Sequence, residues 1–233
     1  MKKIITTIVF LALSTFSAKA IDLPSLPDFG GLSLTAGVAA NSSIWGAQGK
    51  ESEFSETGTD AQINKESGIF HETYESMLIE LGIGQYFSLG YEHTPGSLST
   101  PENKNNEGKA TPTTVKVDFN DLNTIYVKLN MPFNENLYVK AGTTEVDLDI
   151  KETTASGNTY ANQSTSGTSL GLGYQKFIGD RGLSFRVEGN YMEFDNVKTN
   201  NGIATSGNRN EIDVKNLEGL NLKAALTYTF GKN

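Results

Sequence analysis

Seven ionisable residues sit at alternating positions within otherwise apolar segments: Glu80, Glu92, Lys128, Lys140, Arg186, Glu188 and Lys223. Ile79-Glu80-Leu81, Val127-Lys128-Leu129 and Phe185-Arg186-Val187 show the pattern. At a period of two, neighbouring side chains point to opposite faces, so these charges share the face opposite the apolar set. Four cations and three anions in one enclosed space can pair into a network that closes it, because an unpaired charge in a dry interior is strongly unfavourable. The other chemistry open to the same set is a narrow gated conduit in which the pairs exchange partners.

Other reactive side chains are sparse. His71 and His93 are the two imidazoles of the chain, with Ser76 near them in sequence. A rim position would suit a lipid substrate, but no spacing defines a triad, and no catalytic residues are expected. Glu51, Glu53, Glu56, Asp60 and Glu66, with Lys50 and Lys65, lack the spacing of a calcium loop and read as a solvated acidic connection. The Gly-x-Gly strings at Gly82 to Gly84 and Gly171 to Gly173 are followed by no helix, so they are not nucleotide motifs. No metal and no cofactor is expected.

The elements that position the charges read as eight strands. They are centred on Leu32 to Trp45, Met77 to Ile83, Phe87 to Glu92, Ile125 to Met131, Leu137 to Gly142, Ser169 to Gln175, Leu183 to Tyr191 and Leu220 to Phe230. In the fifth the apolar parity shifts to Val146, Leu148 and Ile150, which predicts a bulge near Gly142 to Glu145 or a strand projecting beyond a membrane. Short connections at Gly84 to Tyr86, Pro132 to Glu135 and Ile178 to Gly182 alternate with long ones. The long ones, Gly46 to Glu72, Thr94 to Phe119, Lys151 to Gly167 and Asp195 to Glu218, read as loops. An up-and-down barrel with one smooth and one elaborated rim has this alternation. Counted from the smooth rim, Glu80, Lys128, Lys140 and Arg186 lie three residues up, Glu92 and Glu188 five, and Lys223 seven, a band roughly 7 to 16 Å deep at about 3.3 Å per residue and a strand tilt of about 45°.

The first 20 residues have the order of a secretory leader: Lys2 and Lys3, an apolar run from Ile4 to Phe16, then Ala18-Lys19-Ala20. The run would rise only about 20 Å as a helix, short of a membrane span. The expected organisation is a leader over 1–20, a periplasmic lead over 21–30, a barrel domain over 31–230 and a tail over 231–233. Loss of the leader removes three lysines and no acid, leaving 16 basic against 27 acidic residues, a formal charge of −11. Such a balance argues against a nucleic-acid partner. Absence of cysteine removes both disulfides and a lipid-modified N-terminus.

A soluble eight-stranded barrel also alternates, so the discriminator is which set points inward. Gly37, Gly82, Gly90, Gly142, Gly171 and Gly173 lie on the polar face and suit a crowded lumen. Trp45, Tyr86, Phe87, Phe133, Tyr174, Tyr191, Tyr228 and Phe230 fall near strand ends, where aromatic rings suit a membrane interface. With the leader and the alternating connections, these features favour a barrel in the outer membrane of a Gram-negative cell, its apolar face against lipid and lipopolysaccharide.

The segment LGLGYQKFIGDRGLSFRVEGNYMEF, Leu170 to Phe194, resembles the penultimate hairpin of the OmpA/opacity-protein type of small outer-membrane β-barrel. LNLKAALTYTF, closing on Leu226, Tyr228 and Phe230, is similar to that group's C-terminal assembly signal, although Gly231, Lys232 and Asn233 follow it here. The resemblance implies an eight-stranded antiparallel transmembrane barrel, recognition by the barrel-assembly machinery, and a structural or surface-interaction role. Passage of small solutes is the alternative, and lipid modification a third.

Overall fold

Each inward polar residue is followed by an outward apolar one, and that alternation yields strands that are long, antiparallel and closed into a ring. The computed structural model describes residues 31–54, 60–105, 113–153, 159–203 and 209–230; the leader, the lead and the tail lie outside them. Eight strands build the wall: β1 (Leu32–Phe54), β2 (Asp60–Ile83), β3 (Phe87–Ser99), β5 (Thr113–Met131), β6 (Asn134–Thr153), β7 (Gln163–Phe177), β8 (Leu183–Phe194) and β10 (Asn210–Phe230). Each pairs with the next, and β1 closes on β10 from Leu34–Phe230 upward. Two short strands, β4 (Asn103–Asn105) on β5 and β9 (Val197–Asn200) on β10, decorate the elaborated end. At the smooth end Gly182 turns the chain at φ 81°, and a Cβ there would lie 2.2 Å from the carbonyl oxygen of Thr229.

The outward face decides between lipid and water. Leu170, Leu172, Leu220, Leu222 and Ile125 are each more than half exposed, Leu222 reaching 62 %. A bare side chain of that size in water forgoes about 1.5–3 kcal/mol, and a continuous belt of them is stable only in hydrocarbon. Arg186 and Lys223, in contrast, are 2 % and 4 % exposed. Polar residues are inside and apolar ones outside, the inverse of a soluble barrel.

Three expectations from the sequence change. In their described residues the long connections are largely strand: the β1–β2 ladder continues to Glu53–Gln62, far into the stretch expected as a loop. No bulge interrupts β6 between Gly142 and Glu145. Tyr138, Lys140, Thr144, Val146 and Leu148 all point inward in strict alternation. The parity shift instead marks the height at which the interior turns from polar to apolar. The irregularity lies one strand away, where Asp121 and Leu122 of β5 oppose the single residue Val146 and Asp121 takes φ 51°. Trp45, finally, is not at the lipid interface but inside, 1 % exposed.

Candidate functional site: the lumen

Inward parity brings the seven charged residues together, and their contacts divide into two tiers. In the lower tier Glu80 of β2 receives both terminal nitrogens of Arg186 from across the barrel, at 2.6 and 2.7 Å, and Lys128 Nζ at 2.7 Å. Tyr126 donates its hydroxyl to the same carboxylate at 2.9 Å. In the upper tier Lys140 and Lys223 each bridge Glu92 and Glu188: Lys140 at 3.2 and 2.7 Å, Lys223 at 2.6 and 3.0 Å. Tyr138 donates to Glu188 at 2.9 Å and Ser76 to Glu92 at 2.7 Å. All seven charged side chains are under 10 % exposed.

Two tyrosines that the alternation puts on the charged face, but to which the sequence gives no role, lock the tiers together. Lys140 Nζ sits 4.2 Å from the centroid of the Tyr126 ring, and Lys128 Nζ 5.4 Å from that of Tyr138. Each ring lies over the glycine directly across the ladder, Tyr126 over Gly90 and Tyr138 over Gly173. A Cβ on those glycines would come within 2.3 and 2.2 Å of the rings. The pairing of an inward tyrosine with a glycine on the next strand is the signal that could have found them.

Below the charges a hydroxyl and amide layer fills the wall: Gln175 donates to Ser184 at 2.9 Å, Ser184 and Thr227 share a bond of 2.6 Å, and Thr35 and Thr229 one of 2.9 Å. Above them Asn221 donates to Asn41 and Asn41 to Ser76, both at 2.9 Å. An apolar cluster then caps the lumen, with Trp45, Phe119, Leu122, Val146, Phe194 and Leu217 among its members. Matter crossing from rim to rim would have to break both tiers and the cap.

Neither histidine reaches the lumen. His71 Nε2 lies 2.9 Å from Ser42 Oγ and His93 Nδ1 2.7 Å from Asn123 Oδ1, on the outer wall. Ser76 points inward, so the structure does not bring it to either imidazole. Of the acidic stretch, Glu66 meets Asn103 of β4; Glu51 and Lys50 lie on β1 and Lys65 on β2, while Glu56 lies outside the described residues. Leu226, Tyr228 and Phe230 face outward on the closing strand, the last two in edge contact at 5.0 Å between centroids. High on β5, beyond the lipid-facing part, burial of Asp118 would raise its carboxyl pKa. Lys151, Ser99 and Lys116 outweigh that and hold it at about 2.

A closed ring of eight antiparallel strands with an apolar exterior and a charged, filled lumen is the small outer-membrane β-barrel fold. No protein-family model matches the sequence, and no curated protein does. Among solved structures the chain is similar to the outer-membrane protein OprG of Pseudomonas aeruginosa, with 11 % identity, a TM-score of 0.53, and 83 % of this chain and 96 % of OprG covered. It is also similar to the outer-membrane protein AlkL in DMPC bilayers, with 12 % identity, a TM-score of 0.51, and 91 % and 97 % covered. At such identities the fold is what is shared. With its lipid-facing belt, it is the fold of a protein of the outer membrane.

Proposed function

We propose that the chain is a surface barrel of the OmpA/opacity type, sealed against passage through its lumen, whose work lies in envelope structure and in contacts at its extended outer end. The bidentate clamp of Arg186 on Glu80, backed by Lys128, supports this most directly. Outer-membrane lipid and lipopolysaccharide would surround the belt, and the barrel-assembly machinery would read the final strand through Leu226, Tyr228 and Phe230. In planar bilayers the purified protein is expected to leave the baseline current unchanged at moderate voltages. Stable, sizeable single-channel steps would overturn the sealed-lumen reading.

One observation favours a second reading. The interior above the ion pairs is apolar, and the β2–β3 ladder ends at Met77–His93 although both strands continue. A small apolar solute entering from outside would then have a sideways exit into lipid rather than a path through the floor. Proteoliposomes should accumulate an alkane probe faster than protein-free vesicles if this holds, and at the same rate if it does not.

A further inference from the structure

Among the described residues β2 pairs with β3 only between Met77–His93 and Ile83–Phe87. Yet β2 continues up to Asp60 and β3 to Ser99. On its other side β2 is laddered to β1 throughout, from Leu32–Ile83 to Phe54–Asp60. Neighbouring seams run high: β1–β10 reaches Glu53–Asn210 and β5–β6 reaches Thr114–Thr153. The upper half of β2 therefore carries one edge whose backbone groups have no strand partner among the described residues.

An open edge is a template for another strand, and natural barrels blunt such edges with proline, bulges or burial. The β3 side of the gap is treated in this way, with Pro95 and Gly96 inside a register slip between Thr94 and Ser97. The β2 side is not. It holds no proline from Asp60 to Ile83, and Lys65 to Ile69 are all exposed. Ile69 is 78 % exposed, a large apolar side chain bare above the lipid belt, where a partner rather than hydrocarbon would cover it. Along the same edge Glu66 is already taken up by Asn103 of β4, and below it Glu72 and Glu75 face no lysine or arginine of the edge. A second copy would set this acidic edge against itself, whereas a basic strand would complement it.

We propose that the free edge of β2 from Ser67 to Glu75 receives an extended segment of a protein partner as an added strand, with an apolar side chain beside Ile69 and basic residues facing Glu72 and Glu75. Main-chain hydrogen bonds would supply the affinity, and the side chains at alternate positions the selectivity. This rests on the surface-contact reading above and names its site and partner class.

The test is a titration of the full-length barrel in lipid nanodiscs with the labelled peptide amide Lys-Thr-Val-Lys-Val-Thr-Val-Thr-Thr, whose first and fourth residues fall opposite Glu75 and Glu72 and whose seventh falls beside Ile69 in an antiparallel pairing, followed by fluorescence anisotropy and amide hydrogen exchange. Saturable binding is expected, with exchange slowed between Ser67 and Ser76. Affinity should fall at least tenfold when proline replaces the valines at equal charge. It should fall by a similar factor for the Glu72→Lys/Glu75→Lys double variant, whose folding is checked by its heat-modifiable gel mobility. Equal binding of the proline peptide would mean charge attraction alone and would overturn the added strand. So would absent or displaced protection, dimerisation through this edge, or lipid contacts on the edge that the peptide does not displace. Bilayer conductance tests the parent reading separately: a conducting barrel sinks the sealed lumen and leaves the peptide result standing, while a silent barrel that ignores the peptide removes only the added strand.

Discussion

Replacing Glu80 by Gln is expected to destabilise the barrel by about 3–5 kcal/mol, because it leaves Arg186 and Lys128 buried without their shared counter-charge. The side chain is 2 % exposed and accepts from Arg186 twice, from Lys128 and from Tyr126. An amide could keep part of the hydrogen bonding but none of the charge. Urea unfolding in detergent micelles would measure the loss. A combined Glu80→Leu, Lys128→Met, Arg186→Met variant is the counter-test: a buried ionic group replaced whole by apolar residues of similar size is often neutral, so most of the lost stability should return. If the single and combined variants are equally unstable, charge neutralisation is not what holds this tier.

The tiers show how far residue order alone reaches. Period two places Glu80, Arg186, Lys223 and the others on one face, and distance from the smooth rim places them in one band. It does not say who pairs with whom. Lys140 starts level with Glu80, yet its flexible stem carries the ammonium up to Glu92 and Glu188. Lys128, also level with Glu80, stays with it. Only the strand order and side-chain reach separate those outcomes.

The elaborated rim was less legible for a different reason. Lys50, Glu51 and Ser52 have the composition of a solvated loop, yet they continue the β1 ladder, with Ser52 buried, because the ladder is held by backbone groups that every one of these residues carries. The change of parity after Gly142 was visible as a pattern, but its cause was not. Val146 and Leu148 are inward like Lys140, and the lumen itself changes from polar to apolar at their height.

Trp45 is where that change matters most, and its replacement by Ala is expected to cost about 3–5 kcal/mol, the range for deleting a large buried aromatic. It shares inward parity with Asn41 and Ser43, and its indole nitrogen donates to Ser43 Oγ at 2.6 Å. Its ring packs on Phe70, Phe119 and Phe194 with centroids 6.5, 6.1 and 6.0 Å away. Beneath it lies Gly219, where a Cβ would come within 2.5 Å of the ring. Truncation removes the centre of the cap and admits water to the upper tier, so hydrogen exchange around Asn41 and Asn221 should quicken along with the loss of urea resistance. Gly219→Val should harm the same cap from the opposite side, by overpacking rather than by a cavity. Trp45→Phe should lie between Trp45→Ala and the parent chain. Should Trp45→Ala unfold at the parent's urea midpoint, the apolar cluster is not a structural lid, and the ion pairs alone keep the interior closed.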